Sequence, residues 1–187
     1  MRSVIFESSV SLDGFIEGPN GELDWLVDEA GGPSQFLSAF DTIFYGRRAY
    51  ERLGLPTVVS GAMPQDEKEW YYALHGMRKY VFSRTEKHVE GNGMIISENI
   101  EEEVRRIRQE DGKNIWFCGG PDILRTFIDL DLVDEYILSV HPVLLKEGKR
   151  LFTGKEKALS LQLTQRKRLE SGVVVLHYKP ESRVKNI

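Results

Sequence analysis

Cysteine is nearly absent. Cys118 stands alone among 187 residues, so no internal disulfide framework can form. The four histidines, His75, His88, His141 and His177, are too far apart in sequence for any familiar zinc spacing, and no metal site is expected. Long apolar runs are missing as well. No stretch approaches the roughly 18 residues of a membrane span, and Met1 to Glu7 lacks the unbroken apolar core of a signal peptide. The cytoplasm is therefore the expected compartment. Charge of one sign is not in large excess: 25 Lys and Arg against 29 Asp and Glu leave a net charge of -4, which argues against a nucleic-acid or anionic-membrane surface. A small anionic ligand needs only a local basic pocket.

Common fingerprints are also missing. Gly91 and Gly93 are followed by Ile96 where a third glycine would complete a dinucleotide motif, and no glycine-rich loop of the P-loop type precedes Gly112-Lys113, Gly148-Lys149 or Gly154-Lys155. Neither a Gly-x-Ser-x-Gly elbow nor a His-Glu-x-x-His zinc motif occurs. Cys118, at the end of an apolar run, is expected to be a buried, inert thiol.

The pattern that is present is α/β. Short apolar runs at Val4–Phe6, Thr42–Tyr45, Lys79–Phe82, Met94–Ile96 and Ile115–Cys118 alternate with helix-like segments as far as Leu130, the arrangement of parallel strands joined by covering helices. Ile115 to Cys118 has no polar side, so it is expected to be a central strand. Ile100, Val104 and Ile107 form one apolar stripe among glutamates and arginines. The spacing predicts a helix, with Asn99 and Glu102 as its capping box and Asp111-Gly112 as its stop. A second helix is expected from Pro121, where the missing N–H costs nothing. Beyond Leu130 come strand patterns without helices, at Asp134–His141, Leu159–Leu169 and Val173–Tyr178. Glu170-Ser171-Gly172 joins the last two as an antiparallel hairpin. About 150 residues per domain predicts one domain, here 1–179, followed by a frayed polar tail at 180–187.

Ligands of open α/β sheets bind beyond the carboxyl ends of the strands. Three such ends suit phosphate: Gly46-Arg47-Arg48-Ala49-Tyr50, Ser83-Arg84-Thr85 and Gly119-Gly120-Pro121-Asp122. Glycines allow close backbone approach, the helix start at Pro121 offers free N–H groups, and guanidinium and hydroxyl groups add donors. Three loops fit a dinucleotide better than a mononucleotide. Arg84 between two hydroxyl residues could mark a 2′-phosphate, hence NADPH over NADH. The segment Ser8 to Trp25 reads as a long mobile loop over the substrate. Within it Asp13 could hold a substrate hydroxyl or orient the loop backbone, and Trp25 could stack on a planar ring or pack in the core. Asp24, Asp28 and Glu29 are candidate proton donors or merely an acidic surface.

Taken in order, Ser11-Leu12-Asp13-Gly14-Phe15-Ile16, Asp41 to Tyr50, Val81 to Thr85 and Ile115 to Gly120 resemble the dihydrofolate reductase-like superfamily. More narrowly, they resemble the C-terminal reductase domain of the bifunctional riboflavin-biosynthesis deaminase-reductase, over about residues 2 to 179. The resemblance implies a three-layer αβα sandwich around a mixed, mostly parallel sheet with a C-terminal antiparallel hairpin. It implies NADPH as hydride donor, a small-molecule substrate and a homodimer. Carried onto this chain, Gly46, Arg47, Arg48 and Ala49 would meet the cofactor phosphates, Ser83, Arg84 and Thr85 the adenosine 2′-phosphate, and Gly119, Gly120, Asp122 and Ile123 the pyrophosphate. Asp13 and Trp25 fall to the substrate side, and no side chain is singled out for catalysis. The family's Pro-x-Leu-Leu-Gly-x-Gly reads here Pro142-Val143-Leu144-Leu145-Lys146-Glu147-Gly148, with Lys146 replacing a glycine. Without a deaminase domain and its zinc ligands in this sequence, a stand-alone reductase is expected. The implied activity is a reductase of a small heterocyclic or ribosylated compound, similar to 5-amino-6-(5-phosphoribosylamino)uracil reductase. The alternatives are a dihydrofolate or pterin reductase, disfavoured because the segment Gln35 to Phe40 holds no acid before Asp41, and a dinucleotide-binding protein without turnover.

Overall fold

The computed structural model describes residues 1–27, 36–56 and 63–184. Its strands are β1 (Val4–Ser11), β2 (Phe15–Glu17), β3 (Phe40–Gly46), β4 (Arg78–Phe82), β5 (Met94–Ile96), β6 (Asn114–Cys118), β7 (Glu135–His141), β8 (Lys149–Arg150), β9 (Leu161–Arg168) and β10 (Val174–Pro180). Its helices are α1 (Arg47–Ala49), α2 (Gln65–Gly76), α3 (Ile100–Gln109), α4 (Pro121–Asp129) and α5 (Glu181–Val184), with a π-helical turn at Tyr50–Gly54. Eight of the strands make a mixed, mostly parallel sheet, and β2 and β8 form a separate antiparallel pair. The chain divides into two compact units, residues 1–4 with 30–120 and residues 5–29 with 121–187.

In the first unit the strand order is β5-β4-β3-β6, with every neighbouring pair parallel. Ile43, Phe44, Val81, Ile115 and Phe117 are wholly buried, as their unbroken apolar runs require of strands covered on both faces. Phe44 meets Tyr80 and Phe82 edge-on, ring centroids 5.8 and 5.3 Å away. Helix α3 buries Val104 and Ile107 and turns its charges outward, where Arg105 pairs with Glu101 and Arg106 with Glu103 and Glu110. Its expected capping box does not form. Asn99 lies in the left-handed region at φ 50°, whereas a capping side chain needs an extended backbone to reach back to the helix amides. At the amino ends of these strands the buried Arg2 bonds Asp41 and Thr42, tying the N-terminus to β3.

In the second unit β1 pairs with β7 in parallel, and β10 joins β7 and β9 antiparallel. The antiparallel pairing thus comes at the C-terminal side of the sheet, as the sequence pattern predicts. The hairpin between β9 and β10 turns at Gly172, φ 90°, closed by Gly172 N–H on the Leu169 carbonyl. Helix α4 begins at Pro121 as expected and buries Leu124, Phe127 and Ile128. The segment read as a long loop from Ser8 is more ordered than that: β1 runs on to Ser11 and β2 pairs with β8. The tail is not simply frayed, since α5 follows β10 directly and Glu181 N–H bonds the Ser160 carbonyl.

Candidate functional site

Strands β4, β3 and β6 end level with one another. Gly46 is the register partner of Phe82, and Tyr45 that of Cys118, so Phe82, Gly46 and Gly119 stand in one row at the carboxyl edge of the first unit, with Ser83 the next residue beyond it. Strand spacing makes that row about 10 Å from end to end. The structure therefore brings together three loops that are far apart in sequence, with Gly46-Arg47-Arg48-Ala49 in the middle, Ser83-Arg84-Thr85 on one flank and Gly119-Gly120 on the other. Gly46 is buried and extended, at φ -70° and ψ 145°. That backbone is one any residue adopts. Arg48, Arg84 and Thr85 are exposed. Arg47 is held by Glu51 at 2.6 Å. Ser83 is buried, and its oxygen accepts a bond from Glu86 N–H at 3.0 Å, which closes the turn that presents Arg84. Cys118 is half-buried rather than sealed in the core.

Tyr50 supports this edge, a role its position in the sequence did not suggest. Its hydroxyl donates to the Glu90 carbonyl at 2.6 Å and accepts from Gly93 N–H at 3.0 Å. Its ring packs against Tyr45 at 5.6 Å. Gly93 must be glycine: a Cβ there would stand 2.8 Å from both Tyr50 Cζ and Val81 Cγ2.

In the second unit Asp13 proves to be a clamp. Its carboxylate accepts from Ser11 Oγ at 2.7 Å, Leu145 N–H at 3.1 Å and Lys146 N–H at 2.8 Å. These bonds, led by that from Ser11, hold the carboxyl down at about 2. Of the two roles considered for Asp13, orienting backbone is the one with visible contacts. Lys146, where the family pattern has glycine, does adopt the left-handed backbone that glycine favours, φ 69°. Trp25 donates from its ring N–H to the Glu22 carbonyl and meets His141 edge-on at 5.3 Å. His141 is buried, its Nδ1 accepting from Val27 N–H at 3.3 Å. Asp122 and Ile123 occupy the first turn of α4, Asp122 exposed and Ile123 half-buried. Asp24 is exposed; Asp28 and Glu29 lie outside the described residues.

Glu7, just past the apolar run Val4–Phe6, has a perturbed carboxyl. It sits half-buried on β1, and burial pushes its pKa up to about 7. A glutamate directly after the apolar run Val4–Phe6 was the signal that could have drawn attention to it. Among the described residues no group of three His, Cys, Asp or Glu side chains could hold a metal ion, and no helix is long and apolar enough to cross a membrane.

A mixed, mostly parallel sheet with candidate loops at the ends of its parallel strands defines an α/β protein of dihydrofolate reductase-like fold. Dihydrofolate reductase from Enterococcus faecalis complexed with NADP(H) superimposes with a TM-score of 0.62 at 11% identity, covering 96% of each chain. The chain belongs to the RibD C-terminal domain family, whose model matches residues 2–175. The uncharacterised protein YyaP of Bacillus subtilis is 42% identical over 178 residues, 95% of this chain and 94% of that one. The deaminase/5-amino-6-(5-phosphoribosylamino)uracil reductase of Thermotoga maritima is 14% identical with a TM-score of 0.68, over 96% of this chain and 56% of that one.

Proposed function

We propose that this chain is an NADPH-dependent reductase of a small heterocyclic or ribosylated compound, of the kind carried out by 5-amino-6-(5-phosphoribosylamino)uracil reductase. The observation that carries the reading is the row of Phe82, Gly46 and Gly119, which sets three loops suited to phosphate, the first starting at Ser83, along one strand edge. What supports the cofactor is the exposure of Arg48 and Arg84, whose guanidinium groups suit phosphate, beside this edge. In this reading Gly46, Arg47, Arg48 and Ala49 hold the phosphates. Ser83, Arg84 and Thr85 take the 2′-phosphate, and Gly119, Gly120, Asp122 and Ile123 receive the pyrophosphate. The bound cofactor supplies the hydride. The protein's own part is to orient the two reactants and exclude water, with Asp13 fixing the substrate-side turn and Trp25 offering an aromatic wall.

A homodimer acting in the cytoplasm is part of the same proposal. A dihydrofolate reductase reading gains nothing from Asp41, because its carboxylate is bonded to Arg2 at the opposite ends of the strands. Thermal shift with NADPH, NADH and FMN, followed by NADPH oxidation against a panel of acceptors, tests the proposal. At about 100 times its dissociation constant NADPH adds roughly 2.7 kcal/mol of stability. Stabilisation without oxidation of any acceptor favours a binding protein that lacks turnover, and no stabilisation rejects the cofactor.

A further inference from the structure

We propose that the cavity at the amino ends of β3 and β6 binds a small zwitterion of the amino-acid type, its carboxylate on Arg2 and Lys113 and its ammonium group on Asp111. The proposal is independent of the reductase reading, and every residue it uses lies in the first unit.

The cavity has a volume of about 490 Å³, and Arg2, Asp111, Lys113 and Asn114 are among its walls. Arg2 is fixed there by its backbone. Its N–H donates to the Arg108 carbonyl at 2.9 Å, and Arg108 Nε donates to the Arg2 carbonyl at 3.1 Å. The guanidinium is then committed on two of its three nitrogens. Nε donates to the Lys113 carbonyl at 2.5 Å, and Nη2 donates to Asp41 and, at 2.6 Å, to Thr42 Oγ1.

Nη1 is left over. It is buried without an acceptor among the described residues, on a side chain only 3% exposed. Asp41 is already spent elsewhere: Oδ1 takes Nη2 and the Thr42 hydroxyl, and Oδ2 takes Lys113 N–H at 2.8 Å. A buried donor with no acceptor is costly and rare in a native fold. The cavity is the neighbouring space from which an acceptor can reach it. Gly112 rests on the same guanidinium, where a Cβ would stand 3.1 Å from Arg2 Cζ, so its two chain neighbours, Asp111 and Lys113, flank the Arg2 head.

Charge decides the class of ligand. Arg2 is neutralised by Asp41, and Glu110, the other acid on the wall, is held by Arg78 at 2.8 Å and Arg106 at 2.9 Å. Two charges remain. Lys113 Nζ has the Ser38 carbonyl at 2.8 Å, which leaves its charge uncompensated, and Asp111 is exposed with no hydrogen bond or ion pair among the described residues. One spare cation and one spare acid beside an unused guanidinium donor match a ligand with one negative and one positive group. A carboxylate suits the guanidinium. A phosphate dianion would bring a second negative charge toward Glu110 and Asp111, and an apolar ligand would leave Nη1 unpaired.

The ligand is distinct from the hydride acceptor of the reductase reading. Thr42 marks this end of β3 and Gly46 the other, roughly 13 Å along the strand.

Saturation-transfer NMR with an equimolar mixture of the common amino acids picks out the binder. Calorimetry then compares that compound with its N-acetylated and its carboxyl-amidated forms. The unmodified compound should bind with a dissociation constant of about 1 mM or below. Amidation should weaken binding about tenfold or more, since it removes bonds to a charged group. Acetylation should weaken it about two- to fivefold, as befits an exposed ion pair. Asp111→Asn, a change on an exposed side chain, should cost the same two- to fivefold, and in that variant acetylation should cost nothing further. No binding at about ten times the stated concentration overturns the proposal and leaves Nη1 to solvent. Equal affinity for either modified form, equally tight binding of acetate or inorganic phosphate, or unchanged affinity in Asp111→Asn overturns it as well.

Discussion

Replacing Lys146 with glycine should stabilise the protein. At φ 69° the Lys146 backbone is left-handed, where a residue with a Cβ is disfavoured by roughly 1–2 kcal/mol. Glycine removes that strain but loses about 0.5–1 kcal/mol through its freer unfolded chain. The net expectation is a gain of about 0.5–1 kcal/mol, or roughly 1–4 °C in melting temperature for a chain of this size. Nothing else of weight is removed: the side chain is exposed, and the bond from Lys146 to Asp13 at 2.8 Å is made by the backbone N–H, which glycine keeps. Urea unfolding followed by tryptophan fluorescence measures the change. Lys146→Ala is the control, since alanine drops the charge and the long side chain but retains the Cβ; it should gain nothing. If Lys146→Gly destabilises, or if alanine gains as much as glycine, backbone strain is not what this position carries.

Glu7→Gln also has a stability signature. Because the folded pKa is raised from 4.5 to about 7, the unfolded chain ionises first. Stability contributed by this group is intact below about pH 4.5, falls between there and 7, and is lost above. Glutamine escapes the loss, so the variant should be the more stable by up to about 3 kcal/mol at pH 8 and by nothing at pH 4 in paired unfolding curves. Tyr50→Phe strands the Glu90 carbonyl and the Gly93 amide, and should cost about 1–3 kcal/mol in chemical denaturation. Gly93→Ala drives a methyl into Tyr50 and Val81 and should cost a similar amount, about 1–3 kcal/mol. Arg84→Ala should weaken NADPH far more than NADH in fluorescence titrations; equal weakening of both would remove the 2′-phosphate from that flank.

What could be read from the chain in advance divides along the range of the forces involved. The apolar runs at Thr42–Tyr45 and Ile115–Cys118 announce buried strands, because a side chain that must leave water does so whatever its partner. The stripe Ile100, Val104, Ile107 and the proline at 121 likewise mark helices from local periodicity and backbone geometry. Asn99 shows the limit even of local signals: the residue type suits a cap, yet its backbone turned left-handed and its side chain caps nothing. The pairing of β2 with β8 and the parallel run of β7 beside β1 join segments far apart in sequence, and no periodicity records such a choice of neighbour.

The candidate site divides in the same way. Residue types suited to phosphate, and their places at strand ends, were legible in order along the chain. That Phe82, Gly46 and Gly119 lie in one row was not, because register is set by hydrogen bonding between strands. Asp13 could have been a ligand or a clamp until the turn at Leu145 and Lys146 came to lie against it. Glu7 is the plainest case. Its carboxyl is ordinary in the sequence, and only the surrounding fold, by desolvating it, pushes its pKa up to about 7.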